Sequence, residues 1–166
     1  MKWWVPILSA AVFLVLQATL SSRMAIGAIA PDFVVVCVVL FGLQRGRIPG
    51  AVYGFVLGLV VDVGNPGFLG LNALTKTVVG YAAGRMGSAT SPGSLVLFVV
   101  FLVTAFVHDV VYYTLYLWPQ VGGILVSMVT VALPSALYTA VIGIAVERIL
   151  ALLGARVVMA DGKERR

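Results

Sequence analysis

The chain has 166 residues, and 61% of them are hydrophobic before its 18 glycines are counted. Charged residues make up 10%, against about 25% in a soluble domain, and the formal charge is +5. So little polar surface cannot cover a globule in water, which excludes a soluble enzyme, a nucleic-acid binder and a disordered chain and indicates an integral membrane protein.

A spanning helix needs about 20 mostly apolar residues. The first run covers about 3–22 and ends at Ser21-Ser22-Arg23. It has the look of a signal peptide, but apolar runs continue to residue 153, so it reads as a retained span. A second helix is expected over about 24–43, with Pro31-Asp32 in its first half, and a short glycine-rich third over 48–63. The fourth covers 69–86, the fifth 94–118, and the sixth 123–153, with Pro134 in its middle as a site of kinking. The connections are short Gly/Pro turns with no room for a water-soluble domain. The prediction is therefore a single all-α transmembrane domain of six helices over residues 1–166, ending in a basic tail at 157–166.

Orientation follows from the basic residues. Lys2, Arg45, Arg47, Arg85, Arg148, Arg156, Lys163, Arg165 and Arg166 fall on one side, and Arg23 on the other. Short basic loops stay in the cytoplasm, so both termini are expected there. Trp3 and Trp4 then mark the inner interface, and Tyr112, Tyr113, Tyr116 and Trp118 the outer one. The lone cysteine, Cys37, reads as a small packed hydrophobe.

Charges inside a membrane are costly and usually pair within the bundle. Asp32, Asp62, Lys76 and Asp109 qualify. At 1.5 Å per helical residue, all four fall in the outer half, where Lys76 is expected to pair with one or more of the aspartates. The cluster serves as structural staples or as a small-ligand or proton site. His108 adjoins Asp109, but successive helical positions point in different directions, so no His–Asp dyad is expected. There is no HExxH, no paired cysteines, no GxSxG elbow and no phosphate-binding loop, which argues against an enzyme and against a metal or other cofactor.

Gly50, Gly54 and Gly58 recur every four residues, and Gly80 and Gly84 repeat the spacing. Small residues one turn apart let helices approach closely in lipid. They mark packing within the bundle or a face for a partner helix.

Several of these residues form a succession. Pro31-Asp32 opens an apolar helix, and Arg45-Gly46 turns into Gly50, Gly54-Phe55, Gly58-Leu59 and Asp62. After a Pro/Gly turn come Leu69-Gly70-Leu71-Asn72-Ala73-Leu74, and then Gly80 and Gly84-Arg85. This order resembles the rod shape-determining MreD family of bacteria, most densely over residues 31–86. The resemblance implies a non-catalytic membrane component of the cell-elongation machinery, acting in cell shape and peptidoglycan synthesis in the bacterial cytoplasmic membrane. It implies MreC as a partner, through its transmembrane helix, with MreB, RodA and its penicillin-binding transpeptidase in a larger complex. It also implies a fold like the S component of energy-coupling-factor transporters. The rival expectation is a solute-binding S-component-like subunit of a vitamin transporter, its pocket lined by the four charged residues.

Overall fold

The computed structural model describes residues 4–64, 66–87, 93–118 and 121–152. Lys2, Trp3, parts of the turns before the fifth and sixth runs, and the basic tail with Arg156, Lys163, Arg165 and Arg166 lie outside the described residues. Helix α1 (Trp4–Leu16) continues through a π turn (Gln17–Ser21), followed by α2 (Phe33–Arg45) and α3 (Arg47–Val63). A 3₁₀ turn (Pro66–Phe68) leads into α4 (Leu71–Gly87), and α5 (Ser94–Tyr116) follows. Helix α6 (Val121–Ser127) runs through a second π turn (Met128–Ala132) into α7 (Leu133–Leu152), so these segments form one helix. The described residues thus form six helices and no strand. Three stretches are long and apolar enough to cross a membrane: Trp4–Ser21, Ser94–Tyr116 and Gly122–Leu152.

Pro134 sits just behind the second π turn. Proline lacks an N–H, and its ring clashes with the carbonyl four residues back. A widened turn relieves that clash, and the Leu133 N–H reaches back to the Met128 carbonyl.

Helix α2 occupies the middle of the bundle. Phe33 through Leu40 are all buried, as expected of a helix that is apolar all round. It begins at Phe33, nine residues later than the hydropathy run suggests. Ile26 and Ile29 exchange two backbone hydrogen bonds of 2.8 and 3.1 Å around Gly27, whose φ of 63° suits glycine. Pro31 then disfavours helical geometry at Ala30, and Asp32 caps the helix. Thirteen residues rise only about 20 Å, short of the roughly 30 Å hydrocarbon core. Irregular backbone inside an apolar bundle persists only where other protein groups satisfy it. Here Ser21 Oγ donates to the Pro31 carbonyl at 2.9 Å, and Tyr138 OH to the Met24 carbonyl at 3.2 Å.

Helices α3 and α4 make the closest approach in the fold. A Cβ on Gly50 would lie 2.5 Å from the Gly80 carbonyl oxygen, and one on Gly54 2.7 Å from the Lys76 carbonyl carbon. One on Gly58 would lie 2.6 Å from the Ala73 nitrogen, and one on Gly80 2.5 Å from the Gly50 carbonyl carbon. Gly84 packs on the Gly46–Arg47 backbone. All five sequence-predicted glycines therefore lie in one internal seam. A partner helix could use them only if α3 and α4 parted.

Candidate functional site

The bundle has two chemically distinct ends. Arg45 and Arg47 flank the α2–α3 turn, Gly84 brings the end of α4 with Arg85 against that turn, and Arg148 donates to Ser94 at the start of α5. The charged cluster lies toward the opposite end, where α2 and α4 begin and α5 approaches its close.

The head of α2 carries its first anchor. Four backbone N–H groups at a helix start have no intrahelical partner. Asp32 Oδ1 accepts from the Val35 N–H at 2.8 Å, an N-cap bond. Gln17 Oε1 accepts from the Phe33 N–H at 2.7 Å, and Thr139 Oγ1 from the Asp32 N–H at 3.1 Å. The end of α1, the head of α2 and α7 are thereby joined at one point.

Asp62 is fully buried at the end of α3 and does for α4 what Asp32 does for α2. Its Oδ2 accepts from the N–H groups of Gly70 and Ala73, each at 3.0 Å. Its Oδ1 accepts from the Asn72 N–H at 3.0 Å and from Asn72 Nδ2 at 3.1 Å. A carboxylate at a helix N-terminus is stabilised by these charge-assisted bonds and by the helix dipole. Among the described residues Asp62 pairs with no cation directly, and Asn72 links it to the rest of the cluster.

Lys76 is 1% exposed, and among the described residues its ammonium makes three contacts. Asp32 Oδ2 lies at 3.1 Å, Asn72 Oδ1 at 2.9 Å and His108 Nε2 at 3.2 Å. Asp32 thus combines a cap bond through one oxygen with an ion pair through the other. Asp109 does not reach Lys76. It reaches His108, with Oδ1 2.9 Å from Nδ1. The dyad disfavoured by helical geometry therefore exists, because a ring and a short carboxylate on successive residues can still meet beside the helix. Beyond it the rings continue: His108 and Tyr112 centroids are 6.0 Å apart, and Tyr112 and Tyr116 5.7 Å.

Of the four predicted charged residues, the structure gathers Asp32 and Lys76 by contact, Asp109 through His108, and Asp62 through Asn72. Gln17, Asn72, His108 and Thr139 were not anticipated as members. Asn72 and Lys76 stand four apart on one helix, a spacing that places side chains together and offered a signal. Gln17 and Thr139 carry none, because their partners are backbone amides remote in sequence. Among the described residues, no three His, Cys, Asp or Glu side chains are gathered so as to hold a metal ion. Every buried side-chain nitrogen and oxygen there has a partner.

A smaller polar knot ties α1 to α3. Tyr53 OH donates to the Pro6 carbonyl at 2.9 Å, with Ser9 Oγ at 3.1 Å and Cys37 Sγ at 3.4 Å from the same hydroxyl. Beside it, α1 and α3 flank an apolar groove of about 710 Å³, lined by residues that include Ala10, Ala11, Val52, Val56 and Val60.

Residues 1–157 match the family model of the rod shape-determining protein MreD. The chain belongs to the MreD family. No curated protein and no solved structure matches it. The family is one of shape-determining proteins, and the long apolar helices fit a membrane protein of that family.

Proposed function

We propose that this MreD-family chain is a non-catalytic, multi-pass scaffold of the bacterial cytoplasmic membrane that receives the single transmembrane helix of MreC. Through MreC it joins MreB, RodA and the penicillin-binding transpeptidase in cell elongation and peptidoglycan synthesis. The observation that carries this reading is the division of surfaces. The glycine seam between α3 and α4 is closed by internal packing, whereas the α1–α3 groove is open, apolar and partly lined by alanine. Small residues let a helix settle closely where lipid supplies no hydrophobic drive.

The same reading places both termini in the cytoplasm, because Arg45, Arg47, Arg85 and Arg148 share one end of the bundle. It also takes the six-helix arrangement to be akin to the S components of energy-coupling-factor transporters. Internal satisfaction of the charged cluster supports its role as a staple between helices.

The test is co-purification of tagged chain from native membranes in mild detergent, combined with disulfide crosslinking from Val56→Cys in a Cys37→Ser background. Recovery of MreC, crosslinked at residue 56, is the expected result. Recovery of paired ATPases with a coupling membrane subunit would overturn the scaffold reading. Recovery of MreC with no crosslink at residue 56 would overturn the choice of groove.

A further inference from the structure

The hydrogen positions in the cluster follow from counting donors. An ammonium has three N–H donors and no acceptor. Among the described residues Lys76 Nζ has three neighbours, Asp32 Oδ2, Asn72 Oδ1 and His108 Nε2, so an ammonium there requires each of them to accept. Nε2 therefore presents a lone pair, and the ring proton sits on Nδ1 and is donated to Asp109 Oδ1. At rest His108 is a neutral imidazole with the Nδ1–H tautomer.

Asp62 is answered separately by the first amides of α4. With both carboxyls ionised, Asp32 and Asp109 stand against Lys76 alone, an excess negative charge that is costly in an apolar bundle. The groups around His108 are Asp32 on α2, Lys76 on α4, and Asp109 and Tyr112 on its own helix, with Asp62 on α3 one step further through Asn72. Tyr113 lies beside Tyr112, and Thr139 on α7, which bonds the Asp32 N–H, does not titrate. Of these groups only the imidazole gains a positive charge near neutral pH from its ordinary chemistry. Asp32 and Asp109, with side chains 23% and 17% exposed, connect the network to the surface of the bundle.

We propose that the Asp32–Lys76–His108–Asp109 network is a proton-binding site in which one exchangeable proton adds to His108 Nε2. The proton comes from water and takes up the Nε2 lone pair, no bond at Nδ1 breaks, and the ring becomes an imidazolium. The Lys76–His108 hydrogen bond is then lost, because two donors face each other. The nearest acceptor for the new N–H is Asp32 Oδ2, 3.9 Å away. Uptake thus transfers the tie of α5 from α4 to the head of α2. Asp32 then serves two cations, and Asp109 keeps its bond to Nδ1.

The chain contains a single histidine, so the test needs no resonance assignment. The full chain, labelled with ¹⁵N-histidine and placed in lipid nanodiscs, is followed by ¹⁵N NMR from pH 9 to pH 5. The expected result at high pH is one protonated nitrogen at Nδ1 and one unprotonated at Nε2, with Nε2 becoming protonated as pH falls. An Nε2–H tautomer at high pH would overturn the proposal, and so would a ring that stays neutral, or stays charged, across the whole range.

Discussion

Replacing Lys76 by methionine removes a buried charge while keeping most of the side-chain volume. The change leaves Asp32 Oδ2, Asn72 Oδ1 and His108 Nε2 without the donor that each now accepts from. Breaking a buried ion pair by deleting one partner costs about 3–5 kcal/mol. For a chain of this size each kcal/mol moves the melting midpoint by about 2–4 °C. Thermal unfolding in detergent, followed by tryptophan fluorescence or circular dichroism, should therefore show a fall of about 6–20 °C. The double variant Lys76→Met with Asp32→Asn distinguishes pairing from packing. Asparagine retains an oxygen for the Val35 cap but brings no charge, so the double variant should be more stable than the sum of the single changes requires, by about 0.5–3 kcal/mol. A Lys76→Met chain melting within 2 °C of wild type, or strict additivity in the cycle, would refute the ion-pair argument.

Helix propensity alone makes Gly→Ala favourable by about 1 kcal/mol, yet Gly54→Ala should destabilise by about 1–3 kcal/mol, because its Cβ meets the Lys76 backbone rather than a yielding side chain. Gly123→Ala, whose Cβ would meet among the described residues only Leu117 Cδ1, at 3.8 Å, should be neutral or slightly stabilising in the same melt, and equal effects at the two sites would contradict the seam. Asp62→Ala orphans three backbone amides at the head of α4 and should cost at least about 2 kcal/mol. Amide hydrogen exchange at Gly70, Asn72 and Ala73 should then accelerate relative to the rest of α4. Thr139→Val removes the acceptor of the Asp32 N–H and should cost about 1–3 kcal/mol, while Thr130→Val, an exposed back-bonding residue, should leave the melt unchanged.

The helical class, the close approach at the spaced glycines and the need of Lys76 for some carboxylate were legible because each leaves a periodic or compositional trace, while the choice of Asp32 among the aspartates was not. Apolar runs announce helices, four-residue glycine spacing announces close approach, and a lysine amid leucines and valines needs a carboxylate. The start of α2 was not legible from hydropathy. Met24–Ala30 is apolar enough to extend the run, yet Gly27, Pro31 and the capping power of Asp32 settle the backbone instead. The role of Asp62 was hidden for a related reason. Carboxylates in lipid suggest cations, whereas this one is satisfied by amides of the next helix. The His108–Asp109 contact escaped a rule about helical faces that holds for side chains extending straight outward. It fails for a ring and a short carboxylate that turn toward each other.

The cap on α2 has a consequence for how the chain is made. The Asp32 N–H finds its acceptor in Thr139, 107 residues downstream, and the lead-in at Met24 is held by Tyr138 of the same helix. On the multi-pass reading proposed above, α1 to α5 enter the bilayer during synthesis before α7 exists. Until then the irregular stretch before α2 holds amide and carbonyl groups that lipid cannot satisfy. The last helix to be made therefore finishes the second. On that reading a chain cut short before Leu133 lacks both contacts and stays incomplete at its centre.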